Sequence, residues 1–272
     1  AILATNLTTY GTLTLTNGAL SVGAFTLTLN GPAVAQTNGT LNTIATSNLS
    51  FGPGIANVYI GLNVPAGVSN LANLTLNINP NNTVQLNSNV ILNAATGLTL
   101  TSGLLKLGSY DLTFATGSAS GAGSVNSFIL ADSESGNTGQ VKKQYLAGAP
   151  GSFTYPIGDN SGTGEINNAG IDFSPVTLNI SANSALRTIG AKVTDAKHLQ
   201  DVTTNNFISR YWSFTDDNSG VGTYTYTLTT QYSTTSPTDL IGTQTLTNMN
   251  RWNGTNWTEY TTTYPVNQFT IT

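Results

Sequence analysis

The first 105 residues contain no Asp, Glu, Lys, Arg or His. Every one of the 20 charged residues of this 272-residue chain, 8 basic and 12 acidic, lies from Lys106 onward. A folded surface without charge must draw its polarity from Thr, Asn, Ser and Gly, and the stretch holds 17 Thr and 17 Asn. These residue types suit strands and turns far better than helices. Within the stretch, runs such as Thr12-Leu-Thr-Leu-Thr16 and Thr26-Leu-Thr-Leu29 alternate polar and apolar residues. A period of two places the leucines on one face and the threonines on the other, which predicts half-buried strands. The whole chain is only 7% Asp, Glu, Lys and Arg, against about 25% in an average soluble domain. Its net charge of −4 and the lack of clustered Lys and Arg speak against a nucleic-acid partner. No apolar run is long enough for a transmembrane helix.

The charge-free region repeats. Residues 12–31 align without gaps on residues 97–116, with nine of 20 positions identical. The alternating apolar positions correspond throughout: Leu13 with Leu98, Leu15 with Leu100, Leu20 with Leu105, Leu27 with Leu112. Gly18 corresponds to Gly103 and Gly23 to Gly108, marking sharp corners where a positive φ suits glycine. Short strands joined by such corners fit either a β-meander or one turn of a β-solenoid. The even strand length favours the solenoid. The segments Leu74-Thr-Leu-Asn-Ile78, Val84-Gln-Leu86 and Val90-Ile-Leu92 continue the rhythm. Stacked Thr and Asn ladders would then cover the outside without any charge.

The remainder is different. Of 23 aromatic residues, 19 follow Lys106. Val176–Ile180, Tyr211–Phe214, Tyr224–Leu228 and Phe269–Ile271 alternate, and turn clusters separate them. Asn253-Gly254 predicts a two-residue hairpin turn, and 195–202 a helical turn. The expected fold class is therefore all-β: a Thr/Asn-rich solenoid-like region over 1–145, packed on or followed by a β-sandwich over 146–272.

Specific strings carry a family resemblance. Gly151-Ser-Phe-Thr-Tyr-Pro-Ile-Gly158, Ser174-Pro-Val-Thr-Leu178, Arg210-Tyr-Trp-Ser-Phe214 and Trp252-Asn-Gly-Thr-Asn-Trp257 follow the repeats in that order. Together, over roughly 11–272, they resemble the large secreted surface proteins of Bacteroidota, many of them exported by the type IX secretion system. The resemblance implies an extracellular, adhesin-like protein and supplies no catalytic residues. It also implies a sorting domain, cleaved on export, that would begin where Phe269-Thr-Ile-Thr272 ends. The chain opens at Ala1 without a basic-then-apolar leader, which is the expectation for a secreted protein after signal removal.

The chemistry-bearing residues are sparse. There is no cysteine, and His198 is the one histidine. A Ser-His-Asp triad would have to use His198, and a zinc site needs more such ligands than the chain has. Glycoside hydrolysis needs two opposed carboxylates, and the repeat region has none before Asp111. The expectation is a protein that is not an enzyme and holds no cofactor. Calcium is the cation to which its oxygen-rich loops are suited, with Asp159, Glu165, Asp216 and Asp217 as candidate ligands; ordinary Asx turns explain the same loops. Trp252 and Trp257 are candidates for stacking on sugar rings.

The leading functional expectation is a structural or adhesive protein that assembles with copies of itself into a surface or matrix filament. Uncharged edge strands are templates for strand addition. Ile2, Leu3 and Leu7 near the start, and Phe269 and Ile271 near the end, are the expected docking residues. The alternative is a monomeric adhesin module that binds surface glycans.

Overall fold

The computed structural model describes residues 1–31, 34–52, 62–80, 82–133, 137–159, 172–218, 220–233 and 239–271. It is all-β, with a β-solenoid of about five turns. The described residues contain no α-helix, only one turn of 3-10 helix at Gln244–Leu246.

Three parallel sheets form the sides of the solenoid. The first stacks β1 (Leu7–Thr9), β3 (Thr26–Leu29), β5 (Asn48–Phe51), β8 (Asn73–Asn77) and β11 (Leu98–Ser102). The second stacks β6 (Leu62–Asn63), β9 (Thr83–Gln85), β12 (Leu104–Lys106), β14 (Ile129–Leu130) and β17 (Ile157–Asp159). The third stacks β7 (Asn70–Leu71), β10 (Val90–Leu92), β13 (Leu112–Phe114) and β15 (Val141–Tyr145). In the first two turns the longer β2 (Leu13–Ser21) and β4 (Val34–Asn42) pair with each other in parallel.

Register explains why an uncharged sequence suffices. Leu7, Leu27, Leu49, Leu74 and Leu98 lie side by side along the first sheet and point inward. The last four are at most 1% exposed, and burying one such side chain contributes about 1.5–3 kcal/mol. On the outer face the matching column is Thr8, Thr28, Ser50, Thr75 and Thr99. Beside it, Asn73 Nδ2 donates to Asn48 Oδ1 at 2.8 Å. Like residues stack on like, so backbone groups and side chains such as Asn48 and Asn73 find partners in the neighbouring turn.

Corner serines add a second device. Ser47, Ser118 and Ser127 donate side-chain hydrogen bonds to Gly23 O (2.5 Å), Leu92 O (2.7 Å) and Gly103 O (3.0 Å). Ser88 does the same to Val68 O. Each reaches back one turn of the solenoid, so corners are tied by buried or half-buried hydroxyls that need no charge.

The repeat seen in the sequence is local, not rotational. Leu27 and Leu112 correspond at an offset of 85 residues. In space Leu27 stacks toward Leu98 on the first sheet, while Leu112 sits between Val90 and Val141 on the third. The strand–glycine–strand unit is reused on different sides, because every side asks for the same inward leucines. Gly103 (φ 88°) separates β11 from β12, whereas its counterpart Gly18 (φ 75°) bends β2 without ending it.

The far end of the solenoid is closed by antiparallel strands. β18 (Asp172–Phe173) pairs with β17, β20 (Arg187–Thr194) with β15, and β22 (Tyr211–Asp216) with β20. A fourth sheet is antiparallel throughout: β16 (Gly151–Tyr155), β19 (Val176–Asn183), β23 (Tyr224–Gln231), β28 (Gln268–Ile271) and β27 (Thr262–Thr263). Its Phe153, Tyr155, Leu178 and Ile180 join the same buried cluster as the solenoid leucines. Strands from 146–272 therefore complete sheets begun in 1–145. The run Tyr211–Phe214 extends the third sheet, and the other three alternating runs share the fourth.

Two short antiparallel pairs finish the structure, β21 (Phe207–Ile208) with β24 (Leu240–Ile241) and β25 (Asn250–Trp252) with β26 (Trp257–Glu259). The second hairpin has four loop residues, not the two expected. Asn253 Oδ1 accepts from the backbone N–H of Thr255 (2.9 Å) and Asn256 (2.8 Å), and Gly254 takes φ 98°. The Asn side chain thus builds an Asx turn that holds the longer loop. The segment 195–202 holds one hydrogen-bonded turn, with the Asp201 N–H donating to His198 O at 2.9 Å, and no helix.

Candidate functional site

Arg210, just ahead of β22, is buried to 3% exposure and meets four aspartates. Its Nε donates to Asp239 Oδ2 at 2.9 Å, and its Nη2 lies 3.0 Å from Asp195 Oδ1 and 3.3 Å from Asp172 Oδ2. Its Nη1 is paired with Asp159 Oδ2. The four carboxylates come from the end of β17, from β18, from the residue after β20 and from the segment before β24. A guanidinium has five donors in a planar fork, which is what allows one side chain to serve several segments.

The charges do not balance locally. Burial pushes the Asp159 carboxyl up to about 7; Arg210 opposes this, and the neighbouring Asp195 and Asp172 reinforce it. Burial also works against the Arg210 charge, but Asp159, Asp239 and Asp195 overrule it and raise its affinity for the proton. One oxygen each from Asp159, Asp172 and Asp195 lies within 4.8 Å of the others, close enough to share a cation.

Of the residues expected to ligate calcium, the structure brings only Asp159 into this cluster. Asp216 pairs with Arg187 at 2.5 Å, and Asp217 with Lys142 at 3.2 Å. Glu165 lies outside the described residues. The cluster's other members, and Arg210 itself, were not among the candidates.

A second buried charge points into the solenoid from the third sheet. Lys143 takes the inward position after Leu71, Leu92 and Phe114 in the third sheet. Its ammonium donates to Ala115 O (2.6 Å), Thr116 O (2.9 Å) and Ser118 O (2.5 Å), capping the carbonyls of the corner below. Burial lowers its pKa to about 8.

These two groups make an unusual pH profile the expected result. Asp159 binds its proton more tightly when folded, so between about 4 and 7 stability rises as pH falls. Lys143 binds its proton less tightly when folded, so between about 8 and 10 stability rises as pH rises. Thermal melts at pH 5, 7.5 and 9.5 should therefore show a minimum at the middle value. Asp159→Asn should flatten the acid arm and Lys143→Met the alkaline one; a melting temperature that peaks at pH 7.5 contradicts the profile.

Aromatic residues gather elsewhere. The cross-strand pair Trp252 and Trp257 has ring centroids 5.2 Å apart. Trp257 lies 5.0 Å from His198, which lies 4.9 Å from Tyr211. His198 Nδ1 accepts from the Gln200 N–H at 3.2 Å, and Trp257 Nε1 donates to Gln200 O at 3.2 Å. This cluster pins the hairpin over the 195–203 segment. It forms one wall of a cleft of about 920 Å3 whose floor is the inner face of β19, β23 and β28.

The expected docking residues separate into two groups. Ile2 (78% exposed) and Leu7 (38% exposed) lie on the outermost turn, and Leu3 is half-buried there. Phe269 and Ile271 are buried in the fourth sheet, opposite Thr230 and Leu228. These last two are buried because β28 already has a neighbour on each side.

Among the described residues no helix is long and apolar enough to cross a membrane. Comparison of the chain with protein-family models, with curated proteins and with solved structures finds no match in any of the three.

Proposed function

We propose that the protein is an extracellular, non-catalytic structural protein whose subunits join through the outermost solenoid turn. One observation carries this reading: the two ends of the solenoid are finished differently. At the far end, antiparallel strands and the charged cluster around Arg210 cover the stacked turns. At the near end, β1 is the edge of the first sheet, and Ile2, Leu7 and Tyr10 (62% exposed) stand on a surface with no charged side chain. Natural edge strands are ordinarily protected by charge, proline, bulges or a covering segment. An uncharged edge of Thr, Asn and Leu accepts a further β-layer without burying an ion, which would be costly. A contact from this end to a different surface of the next copy is heterologous and extends into a fibre unless the rotation closes it. The extracellular setting is supported by the likeness of the sequence strings to secreted surface proteins.

The test is electron microscopy and light scattering of the 272-residue chain beside a Leu7→Lys variant. Leu7 lies at the edge of the leucine ladder, where an inward-pointing lysine blocks edge pairing while leaving the inner turns intact. The expected result is fibres for the parent chain and monomers, with an unchanged circular dichroism spectrum, for the variant. A parent chain that stays monomeric at high concentration, or a variant that polymerises as well as the parent, overturns the reading.

A further inference from the structure

We propose that the cleft between β22, β23 and the β25–β26 hairpin is a binding site for an oligosaccharide. The inference is independent of the assembly of subunits, since the cleft lies at the opposite end of the chain from the docking edge.

The cavity, at about 920 Å3, is the size of a ligand pocket, roughly 300–1,000 Å3. Its composition is selective. All three tryptophans of the chain, Trp212, Trp252 and Trp257, line it. Phe214 and Trp257 remain 38% and 40% exposed there, so apolar ring surface is left in water at a site that is concave. Covering it would be favourable at about 25 cal/mol per Å2.

Three of the charged groups of the lining are paired within the protein. Asp216 is paired with Arg187, Arg210 with its aspartates, and Asp201 with Lys197 and the Thr203 hydroxyl. Arg251 is exposed and has the neutral phenol of Tyr260 beside it, so its guanidinium donors face the cleft without a carboxylate partner among the described residues. Tyr224 and Tyr226 add hydroxyls to the same wall, with the Tyr226 and Tyr260 oxygens 3.4 Å apart. Aromatic faces beside hydroxyl and guanidinium donors match a pyranose ring: its C–H face packs on the ring plane and its hydroxyls meet the polar groups.

Because every tryptophan lines the cleft, intrinsic fluorescence reports on it without background. Titration of the full chain with neutral cello-, xylo-, manno- and laminari-oligosaccharides is expected to give a saturable change in emission with at least one of them. Trp257→Ala should weaken that binding about tenfold, and Trp257→Tyr should restore most of it. If Trp257→Ala fails to fold, Phe214→Ser, on the exposed ring of the same wall, serves in its place and is expected to weaken binding likewise. No change with any of the sugars up to about 10 mM, binding that survives loss of the aromatic ring, or saturable binding of an apolar peptide in preference to every sugar would each overturn the assignment.

Discussion

Replacing Arg210 with methionine is expected to destabilise the protein by about 3–5 kcal/mol at pH 7.5. The side chain is 3% exposed and its guanidinium pairs with Asp159, Asp172, Asp195 and Asp239. A buried ion pair adds little over a well-packed apolar pair, but removing one partner strands the other. Here one substitution removes the guanidinium from four carboxylates in four segments. The acid response identifies the cause. Asp159 already holds its proton up to about 7, and losing Arg210, whose charge opposes that rise, pushes it further up. Protonation relieves the repulsion, so the gap between variant and parent should narrow from pH 7.5 to pH 5. Arg210→Lys should also be unstable, because a single ammonium cannot present the fork of donors that four carboxylates use. Denaturant titrations at the two pH values measure all of this. A loss below about 1 kcal/mol, or a gap that is the same at both pH values, would show that the cluster is not held by the guanidinium.

That hub was not legible in the sequence, and the reason is geometric. Its members span Asp159 to Asp239, and each sits in a string that reads as an ordinary turn or strand end. The solenoid was legible because its information is local. Alternation identifies the face, glycine identifies the corner, and stacking repeats the same rule every turn. Even there, the alignment of 12–31 on 97–116 was blind to which side of the solenoid each strand would occupy. All sides bury leucine, so sequence similarity carries no phase. One signal for the hub did exist. With only 8 basic residues in 272, a cation retained inside an apolar string such as Arg210-Tyr-Trp-Ser-Phe214 is a candidate for an internal role. Lys143, between Val141 and Tyr145 in an alternating run, carries the same mark. Asp216 and Asp217 looked like ligands because they cluster in sequence; in space they face Arg187 and Lys142 instead.

Phe114→Ala is expected to cost about 3–5 kcal/mol, and the shape of the transition matters as much as its size. Phe114 is fully buried between Leu92 and Lys143 in the third sheet, and its ring centroid lies 5.1 Å from that of Phe153. It therefore joins the solenoid ladder to the fourth sheet. Stacked repeats can unfold piecemeal, since each turn contacts only its neighbours. This chain has a reason not to: one buried cluster runs from Leu15 to Ile271, and strands late in the sequence complete sheets begun early. The tryptophans lie at 212, 252 and 257, so their fluorescence reports the C-terminal part, while far-UV circular dichroism reports all strands. In the parent chain the two signals should change together as the protein unfolds. In Phe114→Ala both should shift together to lower denaturant. Should the dichroism move while tryptophan emission keeps its parental midpoint, the solenoid and the fourth sheet would be separate folding units, and the shared core would not couple them.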